Sequence, residues 1–383
     1  MSDFASLLSS FKQDASAVSA ASKKSSNQER QQTNNVPSRK RPFATTITPS
    51  DAPQFPLMHS NRRKSTDFEL TFLGIGAQKA GTTWLHKLLQ KCTDVSLPQN
   101  QKEVHFWDWH HRKGFEWYIR QFGYHAKKAS SAALHYGEIT PCYVVLPEST
   151  IAELYKCFPN LKIIFVARDL VERAWSAMIM ELRDQTMGLS AGEFADGVTG
   201  NAKSNNNNNA NKRTKLSAAQ QRRLEQQSSP SSQPDSYFID RLRNATHDSR
   251  SNYAKHLGNW YKYFPSSSIL LIDYREIESN PRDVLLKVVM HIGVEEEKAK
   301  QFVTSLSDDE VGQRVNAATT SVSDKATGSS PSSSSQQLLA GRPMLKKQME
   351  KYLQPYARQF NDLLKAKGYD WRLNEHDIKK ERL

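Results

Sequence analysis

Apolar positions along the chain fall into two rhythms. Short continuous apolar runs, Leu70–Gly76, Lys162–Ala167 and Ser268–Tyr274, read as strands buried on both faces, and His135–Thr140 reads as a fourth. Between them apolar residues recur at helical spacing, in 82–91 (Leu85, Leu88, Leu89), Glu148–Phe158, Leu170–Met187, Pro281–Ile292 and Met344–Lys367. Strand and helix in alternation predict an α/β domain, a central parallel sheet flanked by helices on both faces.

Three stretches lack either rhythm. Residues 1–67 are rich in Ser, Gln, Asn and Lys; 197–236 contain the run Asn205–Asn209; 319–336 contain Ser329-Ser-Pro-Ser-Ser-Ser-Ser335. The latter two interrupt patterned sequence and read as loop expansions, since closure entropy grows only slowly with loop length. The expected organisation is a disordered basic region at 1–67, one domain at 68–373 carrying both insertions, and a charged tail at 374–383.

Composition narrows the function classes. The 383 residues have a mean hydropathy of −0.69 and a net charge of +13. Residues 1–67 hold ten Lys/Arg against five Asp/Glu, and 200–236 hold six against two, so nine of the thirteen charges sit in low-complexity sequence. With no nucleic-acid motif beside them, no specific nucleic-acid partner is expected. Arg39-Lys-Arg41 reads as a solvated charge run, with a short nuclear signal as the alternative. No run reaches the roughly 18 apolar residues of a membrane span. The given N-terminus has no secretory pattern, which predicts a cytoplasmic protein; a missing true start would permit the Golgi lumen, where the sequon Asn244-Ala-Thr246 could be used. Cys92, Cys142 and Cys157 form no CxxC pair, so neither a cysteine zinc site nor a disulfide scaffold is expected.

The sharpest motif is Gly74-Ile-Gly-Ala-Gln-Lys-Ala-Gly-Thr-Thr-Trp84, running from strand into helix. Glycines let backbone amides curl round an anion, and the helix start adds unpaired N–H groups. Gly76, Gly81 and Thr83 match the spacing GxxxxGK[ST], but Thr82 stands at the lysine position and a lysine occurs earlier, at Lys79. The fold expected is therefore P-loop nucleotide-hydrolase-like, with a loop poorly built for ATP hydrolysis.

Gln78-Lys79-Ala-Gly-Thr-Thr-Trp84 resembles the sulfotransferase loop that cradles the 5′-phosphosulfate of 3′-phosphoadenylyl sulfate (PAPS). The resemblance implies that Lys79 touches the bridging oxygen and sulfonate while Ala80, Gly81, Thr82 and Thr83 hold the 5′-phosphate. Trp84 either stacks on adenine or packs in the core. Phe165-Val-Ala-Arg168-Asp-Leu-Val-Glu-Arg-Ala-Trp-Ser176 is similar to the family's 3′-phosphate element, which makes Arg168 and Ser176 phosphate ligands. Ala340-Gly-Arg342-Pro343 resembles its glycine-arginine loop and adds Arg342. The likeness covers about 70–200 and 237–373, including Tyr253–Trp260 and the helix ending near Trp371.

Sulfonate transfer needs a base for the acceptor proton. In Lys102-Glu103-Val-His105-Phe-Trp107, an extended backbone would turn Glu103 and His105 to one side. The segment, with Gly114-Phe-Glu-Trp-Tyr118, resembles the acidic-aromatic motif of glycosaminoglycan-type sulfotransferases, whose Glu is the base; the cytosolic small-molecule type uses a His. Glu103 is favoured and His105 stands second. Ile139, in Gly137-Glu-Ile-Thr-Pro-Cys-Tyr143, replaces a lysine of the heparan type, which argues against a heparan acceptor. The expected activity is sulfonate transfer from PAPS to a hydroxyl or amine, the acceptor being a carbohydrate, without a metal ion. The alternatives are a P-loop nucleotide kinase or NTPase, and a non-catalytic nucleotide-binding scaffold.

Overall fold

The apolar runs become the strands of one parallel sheet. The computed structural model describes residues 68–124, 134–186, 229–312 and 331–375. All belong to one of the chain's two structural units, Pro49–Leu383; the other, Met1–Thr48, lies outside the described residues, as does Arg39–Arg41. In chain order the first half comprises β1 (Leu70–Gly76), α1 (Thr82–Leu89), β2 (Val95–Ser96), a π-helical turn Phe106–His110, α2 (Phe115–Gln121), β3 (His135–Ile139), α3 (Glu148–Cys157), β4 (Lys162–Ala167) and α4 (Leu170–Thr186). The second comprises α5 (Asp235–Arg243), α6 (Ala245–Ser251), α7 (Tyr253–Tyr261), β5 (Ile269–Asp273), α8 (Tyr274–Ser279), α9 (Pro281–Ile292), α10 (Glu296–Ser305), α11 (Asp308–Gly312), α12 (Pro331–Ala340) and α13 (Pro343–Ala366).

The sheet order is β2-β3-β1-β4-β5, all parallel, with Leu73 of β1 opposite Glu138 of β3 and Ile163 of β4. Leu70, Phe72, Leu73 and Ile75 are buried, as are Ile163–Ala167, so both faces are covered and the runs need no polar alternation. β1 connects toward β2 while β3 and β4 connect the other way. The reversal falls at β1, and the crevice at its carboxyl end is where α/β sheets bind ligands.

Local chemistry sets the helix starts around that crevice. Asp169 accepts from the Glu172 amide at 3.0 Å and opens α4; Asn244, Asn252 and Asp273 do the same for α6, α7 and α8. Pro281 and Pro343 stand in the first turns of α9 and α13.

Two expectations change. Segment 102–107 is not extended: His105 has φ 52° and leads into the π-helical turn. The low-complexity stretch 319–336 overlaps α12 from Pro331, and the stretch 197–236 is described from 229 on, with a turn at 230–232 and the start of α5; 197–228 and 319–330 lie outside the described residues. Among the described residues no helix is long and apolar enough to cross a membrane.

Candidate active site

Between β1 and α1 the chain turns through five residues. Gly81 takes φ 78° and lies so close to α8 that an added Cβ would come within 3.1 Å of Ile277 Cδ1. Lys79 has φ 68°; with His105 it is one of two non-glycine residues in left-handed backbone among the described residues. The turn leads into the N-terminus of α1, the end of a helix that favours anions. Ala80 and Thr82 are buried and Thr83 is half-buried. Lys79 Nζ lies 3.7 Å from Met180 Sδ. Burial, then the charges of Arg183 and Arg168, lower its ammonium from 10.5 to about 8. A cation so placed gains strongly from an arriving anion.

Arg168 leaves the end of β4 toward the same turn. Its Nη1 donates to the Lys79 carbonyl at 2.9 Å, and its Nε and Nη2 donate to Glu172 Oε2 at 3.3 and 3.1 Å. The guanidinium also lies 4.6 Å from the centre of the Tyr274 ring. Glu172, Ser176 and Met180 follow at four-residue spacing on one face of α4. Since Glu172 holds Arg168 and Met180 touches Lys79, half-buried Ser176 lies on the stripe turned to the loop.

Two expected donor ligands have other partners. Trp84 is 6% exposed and its Nε1 donates to the Val311 carbonyl at 2.8 Å. It is a packed core residue with little open face for an adenine ring. Arg342 donates to the carbonyls of Gln233, Pro230 and Ser231 and to Asp235 Oδ1, at 2.8–3.1 Å. Its guanidinium ties the start of α13 to the entry of α5, so these bonds do not reach the phosphate loop.

The segment with Glu103 is seated on the carboxyl end of β3. The Val104 amide bonds to Glu138 Oε2 and Thr140 Oγ1, both at 3.2 Å. Buried Glu138 also accepts from Tyr118 (2.7 Å), Tyr143 (3.0 Å) and Thr140 (2.7 Å). Burial raises it to about 7 even against those donors. From this seat Glu103 and His105 meet, Oε2 to Nε2 3.4 Å, although the backbone does not alternate as a strand. His105 Nδ1 is 2.8 Å from Asp108 Oδ2, and the imidazole stacks on Trp109 with ring centres 3.9 Å apart. Burial lowers His105, but bonds and charge from Asp108 and Glu103 win and raise it from 6.5 to about 9. Burial raises Glu103, yet His105 and Lys102 together hold it at about 2.

Sequence reasoning missed three groups. Lys102 Nζ lies 2.7 Å from Glu103 Oε1 and 3.3 Å from Thr82 Oγ1, joining the segment to the loop. Arg250 donates to Gln78 Oε1 at 2.9 Å and to Cys142 Sγ at 3.3 Å. Asp108 fixes His105 from the far side. The row Lys-Glu-Val-His-Phe-Trp-Asp carried a signal for Lys102 and Asp108; Arg250, 172 residues from Gln78, had none. Donor atoms of His105, Asp108 and Cys142 lie within 4.8 Å of one another, but each is engaged by its own partner and Arg250 brings positive charge to Cys142. We assign no ion to them.

The site thus joins a glycine turn at a helix start, the cations Lys79, Arg168 and Lys102 beside it, and the carboxylate of Glu103. Over 105 residues the chain is 33% identical to the membrane-associated sulfotransferase kil1 of Dictyostelium discoideum, a stretch that is 27% of this chain and 21% of kil1. The match therefore spans about a fifth of kil1. Among solved structures, the sulfotransferase from Alicyclobacillus acidocaldarius is similar at 15% identity and TM-score 0.46, covering 78% of this chain and 96% of that one. The mouse sulfotransferase SULT7A1, solved with PAP, aligns at 14% identity and TM-score 0.32, covering 75% and 89%. A family model for the sulfotransferase domain matches residues 71–363, from β1 into α13 and across every element of the site, and the chain belongs to the sulfotransferase family.

Proposed function

We propose that residues 68–373 transfer a sulfonate group from PAPS to a hydroxyl or amine of a carbohydrate. One observation carries the reading: the phosphate loop, Arg168 and the Glu103 segment converge on the first turn of α1, through the Arg168–Lys79 and Lys102–Thr82 contacts. The residues fit such a donor, with a glycine held in left-handed backbone against Ile277 of α8 at the start of a helix, and cations on both sides. When bound, the donor supplies a sulfonate whose S–O bond to the 5′-phosphate breaks as one forms to the acceptor, the electron pair staying on the phosphate.

The chain's own groups divide the remaining work. Lys79 neutralises charge on the leaving phosphate, and the amides after it hold that phosphate. Arg168 and Ser176 read the 3′-phosphate. Glu103 accepts the acceptor proton. His105, raised to about 9, already carries a proton at neutral pH, so it orients Glu103 rather than acting as base. A ring-shaped acceptor is favoured by Trp109, 49% exposed and flat against His105, since an indole face suits the apolar face of a sugar. The kinase reading is disfavoured by Thr82, which stands where a nucleotide loop carries lysine.

The test is an acceptor screen with labelled PAPS, run beside calorimetry with adenosine 3′,5′-bisphosphate (PAP), adenosine 5′-monophosphate and ATP. Label on a saccharide and preference for PAP are expected. Preference for ATP overturns the donor, and label on phenols alone overturns the acceptor class.

A further inference from the structure

Lys102 stands between the anion-binding turn and the base. Its ammonium reaches Thr82 at the start of α1 and Glu103 Oε1, while His105 faces Glu103 Oε2. Both carboxylate oxygens therefore already carry a cationic partner, and an acceptor hydroxyl must share an oxygen with one of them. The Lys102 side chain is 19% exposed and that of Glu103 28%, so the pair is more strongly coupled than a surface ion pair. The charge of Lys102 is felt at Lys79 and at His86, which places it inside the field of the phosphate loop. On the β3 side of that loop Ile139, 1% exposed and packed on Gly74, offers no charge.

We propose that Lys102 is a donor-sensing catalytic residue: it turns from Glu103 to the anionic groups bound at the start of α1, and so opens Glu103 Oε1 to the acceptor proton only when the donor is in place. This rests on the PAPS reading above. A lysine is suited to the exchange, having three rotatable donors on a flexible stem, and a phosphate or sulfonate competes well with one carboxylate. No group moves except a side chain, and the proton passes from the acceptor oxygen to Oε1.

PAP binding to the full chain tests this without an acceptor. Lys102→Met is expected to weaken PAP by about tenfold or more, the effect of one charge-assisted hydrogen bond, and Lys102→Arg to recover most of it. Calorimetry in buffers of different ionisation enthalpy adds a second readout. Besides Lys102, the groups facing Glu103 are His105 on its own segment with Asp108 beyond it, His86 on α1 and Cys142 after β3. When Lys102 leaves, Glu103 rises from about 2 while His105 still lowers it, so in acid solution the wild type takes up part of a proton on binding PAP. Lys102→Met and Glu103→Gln are both expected to lack that uptake. PAP affinity in Lys102→Met within about twofold of wild type, or equal uptake in wild type and Glu103→Gln, overturns the proposal. Wild type that fails to bind PAP at all overturns the donor reading itself.

Discussion

His105 lies between two carboxylates, and that placement underlies the proposed choice of Glu103 over His105 as base. A group raised from 6.5 to about 9 contributes ion-pair stability that is fully present below pH 6.5 and lost as pH rises through 9. Glu103, lowered from 4.5 to about 2, contributes stability present above pH 4.5 and lost as pH falls through 2. The stability advantage of wild type over His105→Gln, read by urea unfolding, is therefore expected to narrow as pH passes 9. Glu103→Gln is expected to keep PAP affinity while turnover falls about 100- to 10,000-fold, and His105→Ala to cost less. The reverse order of severity would make His105 the base. Arg168→Ala is expected to weaken PAP by about ten- to a hundredfold, for loss of a bond to phosphate worth about 1.5–3 kcal/mol. Equal affinity of the wild type for PAP and for adenosine 5′-monophosphate would remove the 3′-phosphate role.

At the scale of elements, β1, the turn and α1 form one device, and α11 closes it from behind through the Trp84–Val311 bond. Trp84→Phe, which removes that bond and keeps an aromatic ring, is expected to lower stability by about 1 kcal/mol while Trp84→Leu still binds PAP within about twofold. A collapse of PAP affinity in Trp84→Leu, with the fold intact by circular dichroism, would restore the adenine-stacking role. β1, β4 and β5 were legible because strands buried on both faces must be apolar throughout. β2, two residues long, was not, because its identity comes from pairing with β3 rather than from its own pattern. The turn at His105 was hidden for a related reason. It is held by Glu138, Thr140 and Asp108, contacts that no periodicity encodes. Trp84 and Arg342 carry the residue types and spacing of the motif, and their bonds to Val311 and to the entry of α5 are contacts that spacing does not encode.

For the whole molecule, the proposed mechanism sets the positive charge of the chain in the place of a phosphotransferase's magnesium. Lys79, Lys102 and Arg168 converge on one turn, so transfer is expected to keep full activity in excess chelator, measured with labelled PAPS. Strict magnesium dependence would return the chain to the kinase reading. The left-handed backbone at Lys79 has a consequence for how this protein can be improved. A side chain other than Gly or Asn costs about 1–2 kcal/mol there, and the ammonium is poorly hydrated as well. Lys79→Asn is accordingly expected to raise the melting temperature and abolish transfer. Heat selection applied to a library of this chain would then enrich inactive survivors at its most important lysine, so any stabilisation programme must hold position 79 constant and score turnover alongside survival.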